Sequence, residues 1–99
     1  MPIQRLHTNA RMSQIVIHGN TVNLAGQVGE DMGAGIEQQT RETLDNIERL
    51  LRQAGTDKQH ILSVTIYLKD IDADFAGMNA VWDQWLPEGV APALSLIHI

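Results

Sequence analysis

The chain has 99 residues, no cysteine and a formal net charge of −5 from seven basic and twelve acidic residues. This length suits one domain with a modest core, and the absence of thiols excludes disulfides, thiolate nucleophiles and cysteine-ligated metal sites. The basic residues are scattered, which argues against a nucleic-acid partner because phosphate contacts need a basic patch. No apolar run reaches the length of a transmembrane helix, and the N-terminus does not resemble a secretion signal, so we expect a cytoplasmic protein with no membrane contact.

Short β-branched segments dominate the first part of the chain. A short edge strand is expected around Ile3 to Leu6. The runs Gln14 to His18 and Thr21 to Val28 flank Gly19-Asn20, a two-residue turn typical of a tight hairpin. Ala25-Gly26 interrupts the second run, and a glycine inside a strand indicates either a bulge or backbone N–H groups that face a ligand. Both alternatives stay open.

Residues 36–54 form the clearest amphipathic helix of the sequence. Apolar residues recur along one face with a helical period, at Ile36, Leu44, Ile47, Leu50, Leu51 and Ala54. The opposite face predicts three ion pairs, Glu37 with Arg41, Asp45 with Arg49, and Glu48 with Arg52. Gly55 follows, where a left-handed residue can end the last turn. Such a helix needs a flat apolar surface on which to pack.

After the long helix, Thr56-Asp57 is expected to cap one helical turn through Gln59. The next segment, from His60 to Lys69, alternates between apolar and polar residues. The alternation predicts a half-buried strand whose apolar residues can support the long helix. These residues are Leu62, Val64, Ile66 and Leu68. The Ser/Thr/Tyr face of the strand must face solvent, another subunit or a ligand.

A second helical pattern places Phe75, Met78, Trp82 and Trp85 on one side and ends before Pro87. Its expected N-cap is Asp72 or Asp74. A final extended segment begins at Pro92. The resulting order β-β-α-β-α-β predicts an α+β fold with both helices on one face of a mixed sheet.

No motif of established chemistry is complete in the sequence. The triple Asp70, Asp72 and Asp74 starts like a calcium loop, but Phe75 and Val81 occupy the positions that need glycine and glutamate, so helix capping is the better interpretation. The four histidines lack metal-ligand spacing, and no nucleotide-binding motif is present. The two tryptophans are better explained as core residues. Asn79 borders the apolar stripe and is either solvent-exposed or in need of a partner.

Several segments, taken in order, resemble the reactive intermediate deaminase family, also called RidA/YjgF. They are 22–28 (VNLAGQV), 36–40 (IEQQT), Asn46-Ile47, Ala54-Gly55, 64–68, the Phe75-x-x-Met78-Asn79-x-x-Trp82-x-x-Trp85 run and Ala91-Pro92-Ala93. The resemblance covers roughly Met12 to Ala93 of a single domain, 1–99, and leaves 94–99 as an atypical tail. It implies a chorismate-mutase-like α+β fold and a homotrimer with clefts between subunits.

The resemblance also implies a reaction. Reactive enamines and imines, of the 2-iminopropanoate and 2-iminobutanoate type, would be hydrolysed to 2-oxo acids and ammonia without a metal or an organic cofactor. Ala25, Gly26 and Asn79 would bind the substrate, and Met12 stands where the family often has a cleft-lining aromatic residue. An arginine after the Pro-Ala pair would hold the substrate carboxylate, because a guanidinium can bind a carboxylate with two hydrogen bonds.

Leu94 occupies the position of that arginine, and no nearby arginine is recognised as a substitute. The family also continues into further strands that this sequence lacks. We therefore interpret the chain as a divergent member with a truncated or altered reading frame, no assignable catalytic residue and impaired activity. Two alternatives stay open: a non-catalytic, small-molecule-binding or regulatory trimeric module, and an endoribonuclease, which the acidic balance disfavours.

Overall fold

The computed structural model describes residues 2–29 and 33–98. Its elements are β1 (Ile3–Thr8), β2 (Ser13–His18), β3 (Thr21–Leu24), α1 (Ile36–Gln53), a 3₁₀ turn (Lys58–His60), β4 (Ser63–Leu68), α2 (Ile71–Trp85) and β5 (Ala93–His98). The α+β class is confirmed. The atypical tail is the strand β5, apart from Ile99, which lies outside the described residues.

The strands pair as two sheets rather than as one continuous mixed sheet. The order β1-β2-β3 forms an antiparallel sheet of three strands, and β4-β5 forms a parallel pair. Within the described part of the chain no strand bonds to members of both sets. Both strand directions are therefore present, but a gap in the pairing separates them.

The β2-β3 hairpin forms around the predicted turn, with His18 opposite Thr21 and Gly19 at φ 60°. The strand expected to continue to Val28 ends at Leu24, so Ala25 and Gly26 follow β3 instead of interrupting it. Two hydrogen bonds explain the end. The Ala25 N–H still donates to Gln14 O over 3.0 Å, but the Ala25 carbonyl accepts from the side-chain Nε2 of Gln27 over 3.1 Å instead of from a strand.

Helix α1 buries the predicted stripe, with Leu44, Leu50 and Leu51 least exposed. It ends as predicted at Gly55, whose φ is 86°. The N–H of Gly55 donates to Arg52 O and that of Thr56 to Leu51 O, so two otherwise unpaired carbonyls are satisfied.

Two of the three predicted ion pairs of α1 are present. Glu37 pairs with Arg41 over 3.6 Å and Glu48 with Arg52 over 3.7 Å. The pairing of Asp45 with Arg49 is wrong: Arg49 has no ion pair among the described residues, and its side chain lines a pocket instead. Glu48 also binds Lys58 over 3.1 Å, which ties the 3₁₀ turn to α1.

The main core lies between the two helices and the parallel strands. Its buried members are Leu44, Leu68, Met78, Val81 and Trp82, against which Val64, Ile66 and Leu96 pack in part. Leu44 of α1 and Leu68 of β4 thus belong to one core, in which α2 is the main neighbour of α1. Leu62 was predicted to join the apolar face of β4 but is 82% exposed, because β4 begins one residue later, at Ser63.

Helix α2 begins earlier than predicted. Asp70, and neither Asp72 nor Asp74, is the N-cap, since its carboxylate accepts from the Ala73 N–H over 3.2 Å. Met78 and Trp82 are buried as predicted, whereas Phe75 is 41% exposed. The helix ends at Trp85, just before Pro87.

Candidate functional site

The segment after β3 leaves open backbone at Gly26. A Cβ added there would meet no atom within 4 Å, so nothing in the chain covers that side of the glycine. The neighbouring Ala25 is half-buried, and both its N–H and its carbonyl are already bonded within the chain. A ligand could therefore approach Gly26, and the N–H of Ala25 is not free to bind it.

Asn79 lies on α2 directly after Met78, which is 1% exposed. The Asn79 side chain is half-buried and has no hydrogen-bond partner among the described residues. An amide in this position favours a polar partner, because an unsatisfied and partly desolvated amide costs free energy.

Leu94 is the second residue of β5 and pairs with Val64 of β4. It is 37% exposed, whereas Leu96 on the same face packs against the core. The position therefore reaches the surface, but it carries an apolar side chain that cannot bind a carboxylate.

The structure places these four residues in three separate parts of the chain. Ala25 and Gly26 follow the antiparallel sheet, Asn79 belongs to α2, and Leu94 belongs to the parallel pair. None of the four lines either of the two pockets described below. Their roles therefore remain predictions.

The outer face of the parallel pair, which carries the Ser/Thr/Tyr alternation, is not covered by the chain itself. Ser63, Thr65 and Tyr67 lie beside Ala93, Ser95 and Ile97. Tyr67 is 61% exposed and Ile97 is 41% exposed. An aromatic and an aliphatic side chain are thus neighbours on a surface that the chain itself does not cover.

A larger pocket, which we call the α1 pocket, lies between α1 and the antiparallel sheet and measures about 460 Å³. It is lined by His7, Gln14, Gln27, Arg49, Leu50 and Gln53. No sequence motif indicates this pocket, because its three glutamines and its arginine are widely spaced along the chain. The one available sign was Arg49, whose long side chain lies on the helix face that carries the charges.

A smaller pocket of about 300 Å³ lies at the β1-β2 turn. Its lining includes Met12, Arg5 and Arg11. Two arginines thus line the same pocket as Met12, a proximity that the sequence alone did not reveal. The Asn9 carboxamide shapes this turn by accepting from the N–H groups of Arg11 and Met12 over 2.8 and 3.0 Å.

Residues 2–29 and 33–98 hold no group of three His, Asp or Glu side chains placed to bind a metal ion. No helix within those ranges is long and apolar enough to cross a membrane.

Comparison with known proteins identifies the family. The sequence model described as Endoribonuclease L-PSP matches residues 2–99. The RutC family protein YoaB of Escherichia coli is 44% identical over 92 residues, which are 93% of this chain and 79% of that protein.

Solved structures agree with this assignment. An uncharacterized protein from Pseudomonas aeruginosa superposes with a TM-score of 0.94 at 44% identity, over 99% of this chain and 84% of the other. A YjgF-family protein from Neisseria meningitidis gives a TM-score of 0.95 at 37% identity, over 100% of this chain and 82% of the other. The fold and the ordered motifs therefore have one explanation, which is that the chain belongs to the RidA/YjgF family, the family of the RutC proteins.

Proposed function

We propose that the chain is an enamine/imine deaminase scaffold whose activity is impaired at Leu94. The substrates are short 2-imino acids of the 2-iminopropanoate and 2-iminobutanoate type, and the products are 2-oxo acids and ammonia. Membership of the RidA/YjgF family is the observation that carries this proposal. The unpartnered amide of Asn79 and the open backbone of Gly26 support it.

The proposed reaction needs little from the protein. Water adds to the carbon of the C=N bond, the C–N bond of the resulting carbinolamine breaks, and ammonia leaves as the C=O bond forms. Most of the rate acceleration comes from holding the substrate carboxylate beside polar groups, because a fixed orientation lowers the entropic part of the activation free energy. No metal or organic cofactor takes part in this proposal.

A homotrimer is part of the proposal, because the predicted binding residues share no pocket within one chain. The exposed outer face of β4-β5, with Tyr67 and Ile97, is a surface that a second copy would cover. Sedimentation velocity at micromolar concentration should give the mass of three chains. A monomer at all concentrations would contradict the assembly and, with it, the shared cleft.

Restoring the guanidinium is the direct test of the deaminase proposal. Leu94→Arg should accelerate ammonia release from freshly generated 2-iminobutanoate by roughly 10-fold to 100-fold, since a hydrogen bond to a charged group contributes about 1.5–3 kcal/mol. Position 94 is 37% exposed, so the new charge need not be buried. Leu94→Gln is the matched control, because it adds hydrogen-bond donors without charge and should gain little.

A second change tests whether the introduced guanidinium acts together with the Asn79 amide. In the Leu94→Arg background, Asn79→Ala should remove most of the gained activity while leaving the trimer intact. If Leu94→Arg and the parent release ammonia at the rate of buffer alone, the deaminase proposal is wrong for this chain.

Leu94 itself favours a second candidate, a non-catalytic module that binds small 2-oxo acids. That function predicts saturable heat on titration with 2-oxobutanoate and no turnover of the imine by either variant. If titration with several 2-oxo acids gives no heat of binding, the binding-module candidate is wrong.

The description Endoribonuclease L-PSP raises RNA cleavage as a further possibility for the family. The net charge of −5 opposes RNA binding by this chain. Purified protein should therefore leave a labelled single-stranded RNA intact, whereas cleavage that copurifies with the chain and scales with its concentration would reverse this conclusion.

A further inference from the structure

The α1 pocket is a polar cleft built from four separate parts of the fold. His7 comes from β1, Gln14 from β2, and Gln27 from the segment after β3, while Arg49, Leu50 and Gln53 come from α1. Its volume of about 460 Å³ lies within the range of pockets that hold small molecules. None of the residues proposed for imine binding lines it.

Hydrogen bonds within the lining engage mainly its oxygen atoms. Gln14 Oε1 accepts from Gln27 Nε2 over 2.7 Å. Gln53 Oε1 accepts from the ring Nε2–H of His7. The amide oxygens of Gln14 and Gln53 are therefore occupied, whereas their Nε2 groups have no partner within the described part of the chain.

Arg49 supplies the charge of the pocket. Its guanidinium has no ion pair within residues 2–29 and 33–98, although Arg41 and Arg52 on the same helix both have one. The lining contains no carboxylate. One unpaired and exposed guanidinium and two unpaired amide donors thus meet in a cleft whose lining holds no carboxylate, and this favours a bound anion.

The backbone at His7 is a second sign that the site is held in place. His7 is the one non-glycine residue with positive φ, 54°, among the described residues, and its ring binds Gln53 in the pocket. Backbone strain of this kind persists where surrounding contacts impose it, and it concentrates at binding sites.

We infer that the α1 pocket binds a small monocarboxylate with a short alkyl chain. Arg49 binds the carboxylate, the Nε2 groups of Gln14 and Gln53 donate to its oxygens, and Leu50 provides an apolar wall for the chain. One guanidinium balances one negative charge, so a monoanion suits the pocket better than a phosphate dianion. This site is separate from the one proposed for imine hydrolysis and does not depend on that reaction.

Butanoate, which contains no imine and cannot be hydrolysed, is the probe. In two-dimensional ¹H–¹⁵N NMR spectra of the wild-type chain, butanoate should shift the side-chain NH₂ signals of Gln14 and Gln53 in a saturable manner. Arg49→Gln should weaken binding by about tenfold, the loss expected when one charge-assisted hydrogen bond becomes neutral. The butanoate affinity of Arg49→Lys should lie between those of the wild type and Arg49→Gln, since the charge stays but the planar pair of donors is lost.

Three controls make the result decisive. Arg41→Gln removes a paired arginine from the same helix and should bind butanoate as the wild type does. Butanamide has the same shape without the charge and should not saturate the site. The inference is overturned if Arg49→Gln binds as tightly as the wild type, if butanamide competes equally, or if inorganic phosphate binds more tightly than butanoate.

Discussion

His7 shows how a single residue can oppose the local preference of its strand. Its φ of 54° lies in the left-handed region, which costs an L-residue with a side chain roughly 1–2 kcal/mol. Glycine does not bear this cost. His7→Gly should therefore be more stable than His7→Ala by about 1 kcal/mol, although both changes delete the ring and its bond to Gln53.

The measurement is urea unfolding of the two variants, followed by circular dichroism. His18 lies in the regular strand β2 and is the matched control. There the order should reverse, because glycine loses more conformational freedom than alanine when it is ordered in a strand. Equal stabilities of the two His7 variants would show that the backbone at this position is not strained.

Asp57 is a residue whose role depends on pH. The hydrogen bond from the His60 side chain, and after it the N–H of Gln59, lowers the pKa of the Asp57 carboxyl from its usual value of 3.8. A lowered folded-state pKa means that the carboxylate stabilises the fold above the unfolded pKa, and that this contribution is lost as pH falls through the folded-state pKa.

His60→Ala should consequently move the Asp57 pKa upward, toward 3.8, in an NMR titration of the carboxyl carbon. The stability advantage of the wild type over Asp57→Asn should be constant near neutral pH and should shrink in acid. A pKa that does not respond to His60→Ala would show that the observed bond does not persist in solution.

Sequence patterns predicted some residue contacts and missed others for identifiable reasons. Spacing along a helix correctly paired Glu37 with Arg41. It could not show that the Arg49 side chain points toward the antiparallel sheet and does not pair with Asp45. The cap of α2 was placed too late, because three aspartates alternate there and only the backbone decides which one accepts the Ala73 N–H.

At the scale of elements, the contact between the two helices depends on Gly77. A Cβ at Gly77 would lie 2.6 Å from Cγ2 of Ile36, the first residue of α1. Ile36 is β-branched and stiff at χ1, so it cannot easily move away. Gly77→Ala should cost about 1 kcal/mol net, because overpacking of about 1–3 kcal/mol outweighs a helix-propensity gain of about 1 kcal/mol.

A double-mutant cycle tests this explanation. In an Ile36→Ala background the clash is gone, so Gly77→Ala should become stabilising. Gly26→Ala is the control for alanine itself, because a Cβ there meets nothing, and it should leave the unfolding midpoint unchanged. If Gly77→Ala lowers stability equally in both backgrounds, the Ile36 contact is not the cause.

Elements with strong local signals were predictable from the sequence. The α1 stripe and the Gly19-Asn20 hairpin were both correct because periodicity and turn chemistry are properties of neighbouring residues. The end of β3 was predicted too late, since the side chain of Gln27 takes the Ala25 carbonyl that a longer strand would have offered to a neighbour. The alternation of apolar and polar residues does not reveal that a side chain competes for this carbonyl.

For the whole molecule, the family and its α+β fold were recognisable from ordered motifs, whereas the division into two sheets was not. Strand pairing between distant segments depends on the complete set of strands, and local pattern does not contain it. The α1 pocket was not predictable either, because its lining residues come from β1, β2, the segment after β3 and α1 and meet only after folding.

The molecule as a whole is flat and less compact than a sphere of the same length of chain. Its radius of gyration is 14.1 Å, larger than the roughly 13 Å of a compact domain of this length. The extents of 43 × 35 × 20 Å describe a flat molecule. A slab of this kind leaves broad faces uncovered, including the one that carries Tyr67.

The parallel pairing of β4 with β5 has a consequence for the order of events during folding. The β2-β3 ladder needs only a two-residue turn, so it can close early and locally. The β4-β5 ladder cannot close until all of α2 has crossed over between them, which makes it the slower step. Until the β4-β5 ladder forms, Leu68 and Leu96 cannot pack into the main core. The apolar surface of that core is therefore exposed to solvent until a late stage of folding.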